Sequence, residues 1–165
     1  MRYEPIVKMT WPLLFTVSHF VKLRNAKDAR LADTTYGHRQ SPQSAHEVGL
    51  FGEVAASHHW NISIDTETYD WHGDNGIDLV IDGKKVSVKT TTYWDEPLLR
   101  VEIEHFHKDS FYFCAAADML RKLVKFVGWA SPDEVGKGEK RIFVPGGPEN
   151  FVLEREVLHE FERKQ

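Results

Sequence analysis

The sequence predicts an α/β protein in which a mixed sheet is flanked by helices, and three observations lead there. Ser41-Pro42 is a helix start, serine as N-cap and proline at the first helical position, opening a stretch that runs to about His59. Asp82-Gly83 joins two β-branched runs, Asp78 to Ile81 and Lys84 to Thr91. That dipeptide is the strongest short-range hairpin signal. Beyond it, strand-like runs follow one another with a short helix between them, and helix-then-strands is the order of a sheet with flanking helices.

Each element has its own justification. Ile6 to Val17 is apolar but interrupted by Pro12, and reads as an extended lead-in. Phe20, Leu23, Lys27 and Arg30-Leu31 follow the three/four spacing of a helix over about Ser18 to Asp33, and Thr34 to Gln40 is a polar loop. Within the helix from Ser41, Val48, Phe51 and Ala55 share one face, with His46, Leu50, Glu53 and Ser57 opposite. Gly49 and Gly52 each cost about 1 kcal/mol relative to alanine in a helix interior. They suggest the close approach of a ligand or of another backbone, such as a tight helix–sheet contact.

Asn61 to Ile64 reads as a short strand, and Leu98 to Ile103 alternates as one. Phe111 to Ala115 is wholly apolar and therefore central, and Leu123 to Ala130 has period two. Ser131-Pro132-Asp133-Glu134-Val135 repeats the N-cap, proline and acid signature for a turn or two of helix before Gly136. Arg141 to Val144 is a short strand, Pro145 to Pro148 a loop, and Asn150 to about Lys164 a charged amphipathic helix.

With 165 residues and no linker, repeat or low-complexity tract, the chain reads as one domain, 1–165. Its parts are a basic arm over 1–40, a core over 41–135 and a C-terminal strand and helix over 136–165. The one cysteine, Cys114, cannot form an intramolecular disulfide and sits in an apolar run, as a buried core thiol would. The apolar run Trp11 to Val17 is too short to span a membrane and lacks signal-peptide flanks, so a cytoplasmic protein is expected.

The net charge of −4 excludes a strongly basic sheath for long nucleic acid, but the charge is unevenly spread. Residues 1–40 hold seven Lys/Arg against three Asp/Glu, and residues 41–130 hold eight against fourteen. A basic arm beside an acidic middle suits phosphate contact next to a carboxylate metal site, and suits an exposed basic helix equally well.

The hairpin carries a carboxylate, Asp78, and an ammonium, Lys89, on adjacent strands. Magnesium takes one or two carboxylates with waters and substrate phosphate, and a nearby lysine can orient water and stabilise developing charge. Asp78, eight intervening residues, then Ser87-Val88-Lys89, preceded by Gly49 to Ala55 with Glu53, resembles the PD-(D/E)XK nuclease superfamily. The likeness is to its small phage- and mobile-element-borne members and covers roughly residues 40 to 135. Gly128-Trp129-Ala130 is similar to their later strand.

The resemblance implies a restriction-endonuclease-like core and a nuclease that hydrolyses DNA, rather than RNA, with Mg or Mn. It implies Asp78 as principal metal ligand, Lys89 as catalytic lysine, the Val88 carbonyl as backbone ligand and Glu53 as a helix-borne ligand. Ser87 departs from it, since the family usually has Glu or Asp there, and a lost carboxylate weakens a metal site. Asp74 or Glu53 would have to compensate. Otherwise the fold serves a catalytically inactive protein that binds nucleic acid or, as a phage or mobile-element product, a host protein.

Lys22, Arg24, Lys27, Arg30, Arg39, Lys84 and Lys85 are candidate phosphate contacts, and His46, Ser87, Asp74 and Thr90 accessory positions. Tyr93 and Trp94 are candidates for stacking on bases or for the core. Cutting both strands calls for a homodimer. Each residue also has a plainer reading: Asp78 as an Asx-turn cap, Lys89 as a solvent-facing lysine, Glu53 as a solvated helix acid. The histidines of His58-His59, His72 and His105-x-His107 have no tetrahedral zinc spacing with Cys114.

Overall fold

The computed structural model describes residues 2–28, 42–63 and 79–162, with backbone alone at 24–28 and 42–46. It is a mixed α+β fold. Strands β1 (Ile6–Lys8), β2 (Leu79–Ile81), β3 (Lys84–Thr91), β5 (Ser110–Asp118) and β6 (Leu123–Ala130) form a five-stranded sheet in the order β1-β6-β5-β3-β2. β3 and β5 run parallel and the other neighbours antiparallel. Strands β4 (Leu99–Glu102), β7 (Glu139–Ile142) and β8 (Glu149–Leu153) make a second, three-stranded antiparallel sheet.

Side-chain alternation along β5 divides two cores. Phe113, Ala115 and Ala117 join Val86 and Val88 of β3 beneath the helices α1 (Trp11–Asp28) and α2 (Pro42–Trp60). Tyr112, Cys114 and Ala116 face the other way, toward Leu99 and Val101 of β4, Phe151 and Leu153 of β8, and Val135 of the short helix α3 (Pro132–Gly136). The main sheet therefore has helices on one face and the second sheet with α3 on the other. α2 is buried nearly all round over residues 50–56 rather than along one stripe, with α1 packed against it.

Local chemistry explains most boundaries. Asp82 and Gly83 both take positive φ, 49° and 76°, the two-residue turn that matches strand twist. In α3 the Ser131 hydroxyl caps the Glu134 N–H while the Glu134 carboxylate accepts the Ser131 N–H at 2.8 Å, a complete capping box.

Four expectations are corrected. Ile6 to Val17 is not an extended lead-in, because only Ile6–Lys8 is strand and a helix begins at Trp11. Pro12 lies in the first turn, where its missing N–H is no loss, so it starts the helix rather than breaking it. Asn61 to Ser63 do not form a strand. Asn61, at φ 55°, ends α2 with Ile62 N–H bonded to Ser57 O at 2.9 Å, a Schellman-type stop. Ile64 lies outside the described residues. The strand expected at Arg141 to Val144 sits two residues earlier, leaving Phe143 and Val144 to a loop.

The fourth correction is the C-terminus. Residues 149–153 form the central strand of the second sheet, followed by a single 3-10 turn at Arg155–Val157, in place of an amphipathic helix. Asn150, Phe151, Val152 and Leu153 are all buried, as a strand paired on both edges requires. Tertiary pairing overrode the helical spacing of the apolar residues. The tail then returns to the main sheet, where His159 and Trp129 exchange backbone hydrogen bonds of 2.8 and 3.0 Å. Arg2 clasps it by donating to the carbonyls of Arg155 and Leu158. Among the described residues no helix is long and apolar enough to cross a membrane.

Candidate functional site

β3 carries the candidate residues, and its alternation decides where they point. Val86 and Val88 face the helices, and so does Thr90, whose hydroxyl oxygen lies 1.9 Å from where a Cβ on Gly52 of α2 would stand. The glycine thus serves a helix–sheet contact. Ser87 and Lys89 alternate to the opposite face, registered beside Tyr112 and Cys114.

Glu53 follows Gly52 on α2 and is 5% exposed, so it is a buried acid and not a solvated one. Its Oε1 lies 3.8 Å from the position of a Cβ on Gly49, folded back along the helix. Glu53 and Lys89 therefore reach the same end of β3 from opposite faces of the strand. Glu53 is not among the residues that line the Lys89 cleft.

Lys89 instead lines a cleft of about 480 Å³ between the main sheet and the second sheet, shared with Thr90, Arg100, Glu102, His105, Asn150 and the loop from Phe143 to Pro148. Among the described residues, Lys89 has no hydrogen-bond or ion-pair partner, although it is half-buried. Arg100 projects from β4 with its guanidinium 3.8 Å from the Phe143 ring centroid and 5.3 Å from that of Tyr93. Its Nε is buried and without a hydrogen-bond partner. Glu102 faces His105, Oε2 to Nδ1 at 3.1 Å, and Asn150 donates to the Pro148 carbonyl at 2.9 Å.

Ser87 lies beneath, fully buried, its hydroxyl without a hydrogen-bond partner among the described residues. Thr90 Oγ1 is orphaned likewise. An unmet buried polar group costs about 1–3 kcal/mol. Val88 is buried in the helix-side core. Tyr93 is exposed beside Arg100, while Trp94 is half-buried under the Lys125 ammonium, 4.8 Å from its ring, and packs as core.

Lys84 and Lys85 stand at the far end of β3, about 17 and about 13 Å from Lys89 at the usual rise per residue. Lys84 lies over the Phe111 ring, and Lys85 pairs with Asp109 at 2.6 Å, holding that carboxyl below its ordinary value. Lys22 is exposed on α1, on the helix side of the sheet. Neither group shares the Lys89 cleft. Arg30, Arg39, Asp74 and Asp78 lie outside the described residues, as do the side chains of Arg24, Lys27 and His46.

Among the described residues no three of His, Cys, Asp and Glu gather as a metal would need. The described donor set does not by itself fit magnesium. It offers one carboxylate on the helix side, a neutral hydroxyl at Ser87 and, in the cleft, two cations with a single carboxylate, Glu102, that already faces His105, whereas Mg²⁺ is usually held by carboxylate oxygens gathered at one point. Comparison with protein-family models, curated proteins and solved structures returned no match.

Arg100, Phe143 and Asn150 are among the members of this cleft that the hairpin motif does not announce. Arg100 had a signal: it is a long cation at the outward position between Leu99 and Val101, in a strand whose exposure alternates. Nothing local marks Phe143 or Asn150.

Proposed function

We propose that this chain is a nuclease of PD-(D/E)XK type acting on DNA, with Lys89 as the group that meets the phosphate. One observation carries the reading. A half-buried ammonium without a partner among the described residues stands at the end of the hairpin strand, in a cleft that also holds Arg100. Unpaired cations in a partly enclosed site call for an anion. The hairpin β2–β3, its neighbour β5 and the overlying α2 are the elements that this reading takes as a restriction-endonuclease-like core. In that core Lys89 would hold and polarise a phosphate oxygen, and Asp78 would supply the carboxylate that Mg²⁺ or Mn²⁺ requires.

Ser87 favours a second reading, nucleic-acid binding without hydrolysis. The position that would carry a second carboxylate holds a fully buried hydroxyl, and Glu53 lies on the other face of β3. Cleavage of labelled linear, single-stranded, branched and RNA substrates separates the two. Wild type is compared with Asp78→Ala and Lys89→Ala, with Mg²⁺, with Mn²⁺ and with chelator. Metal-dependent cutting lost in both variants supports the nuclease. Binding with no cutting under any condition leaves the second reading and removes the first.

A further inference from the structure

Arg100 is the least explained group in the molecule. Its guanidinium makes no hydrogen bond or ion pair among the described residues, yet it is wedged against Phe143 with Nε buried. A planar fork of five donors held by ring packing is pre-organised to take two oxygens side by side. Lys89 enters the same cleft as a point charge with three further donors. The cleft's carboxylate among its lining residues, Glu102, faces the His105 ring.

From this we infer that the cleft is a clamp for a terminal phosphate: Arg100 and Lys89 together bind the phosphomonoester of one nucleotide, at a strand end or as a free nucleotide. The inference deepens the proposed function and rests on it in taking Lys89 as the phosphate-facing lysine. A carboxylate presents two oxygens in one plane and would satisfy Arg100 alone. An internal phosphodiester leaves two oxygens free and carries a single charge. A phosphomonoester presents three and carries about −1.5 to −2 at neutral pH, so it matches the fork and the ammonium together in both oxygen count and charge. Size agrees, because a cleft of about 480 Å³, walled by the Phe143–Pro148 loop, lies in the range of small-molecule sites.

The test is done in chelator, so that binding is read without cutting. Fluorescence anisotropy compares one single-stranded oligonucleotide with a 5′-phosphate, with a 3′-phosphate and with hydroxyl ends. One phosphorylated end should bind about ten-fold or more tightly than the hydroxyl ends, the scale of a charge-assisted hydrogen bond. Arg100→Gln should abolish that preference and Arg100→Lys restore part of it. Displacement by nucleoside monophosphate at concentrations similar to the oligonucleotide assigns the clamp to free nucleotide. Displacement only by the phosphorylated strand assigns it to strand ends.

Should Arg100→Gln fail to fold, wild-type melting still decides, because the phosphorylated oligonucleotide must stabilise the protein more than the hydroxyl-ended one does. Equal affinity for phosphate and hydroxyl ends, or equal stabilisation by the phosphorylated and hydroxyl-ended oligonucleotides, overturns the inference. Failure to cut DNA in the presence of metal bears on the nuclease alone and leaves these binding results standing.

Discussion

Gly52→Ala probes the joint on which the placement of Lys89 depends. The added Cβ would stand 1.9 Å from Thr90 Oγ1, 3.1 Å from Thr90 Cβ and 3.2 Å from Thr90 Cγ2. The first distance is about 1.5 Å or more short of ordinary contact. Rotating Thr90 moves its hydroxyl away but leaves the branched Cβ too close, so α2 and β3 must separate. An off-rotamer side chain costs about 0.5–1.5 kcal/mol and overpacking about 1–3 kcal/mol. Alanine returns about 1 kcal/mol of helix propensity. The net is a loss of about 1–2 kcal/mol, or about 3–6 °C in Tm for a domain of this size.

The decisive measurement is a thermal-melt cycle with Thr90→Ala. That substitution removes both Oγ1 and Cγ2, and the hydroxyl it deletes has no hydrogen-bond partner. In the Thr90→Ala background, which leaves only the Cβ contact at 3.1 Å, Gly52→Ala should cost clearly less than in wild type, giving a coupling of about 1 kcal/mol or more. An equal Tm drop in both backgrounds, or a gain in wild type, would refute the close contact.

Two further outcomes follow from ionisable groups. The Ser131 backbone N–H and hydroxyl, and then His159, hold the Glu134 carboxyl below its ordinary value. A depressed acid contributes stability that is fully present above the unfolded-state value, about 4.3, and is lost as pH falls through the folded one. Below that pH, Tm should fall more steeply for wild type than for Glu134→Gln, and parallel curves would exclude the capping box as the cause. Burial pushes the Cys114 thiol up to about 12, so a thiol reagent at pH 8 should label it only as fast as the protein unfolds. Rapid labelling of native protein would contradict its place between the two sheets.

How far the sequence reaches differs between elements. Lys84–Thr91 and Leu123–Ala130 are strands over the residues that their β-branched, period-two pattern marks, because the signals for pairing are local there. The helix at Pro132 is legible for the same reason, with cap, proline and acid inside four residues. Pro12 and the segment from Asn150 mislead, since each has two local readings and the choice is made by distant partners, β6 for the start of the chain and β4 with β7 for its end.

The site shows the same division. Lys89 is singled out in the sequence by its motif, and the structure places it half-buried at the end of β3. Period two says that Ser87 and Lys89 share a face. It does not say which face α2 covers, so the separation of Glu53 from Lys89 appears only once Gly52 is seen against Thr90. Arg100, Phe143 and Asn150 enter the cleft through the second sheet, whose pairing with itself and packing on the first are tertiary facts.

The clasp between the two ends of the chain bears on how the protein is made. Val7 pairs with Val124, 117 residues later (124 − 7), and Arg2 reaches carbonyls at 155 and 158. At a synthesis rate of about 5–20 residues per second, β1 waits about 6–25 s for its partner strand to be made. During that time the first strand is an unpaired edge, the kind of surface on which chains associate wrongly. Trp11 and Phe15, still exposed in the finished fold, stand just beyond it. The sheet closes late, and crowding at the ribosome is where this fold is most exposed to error.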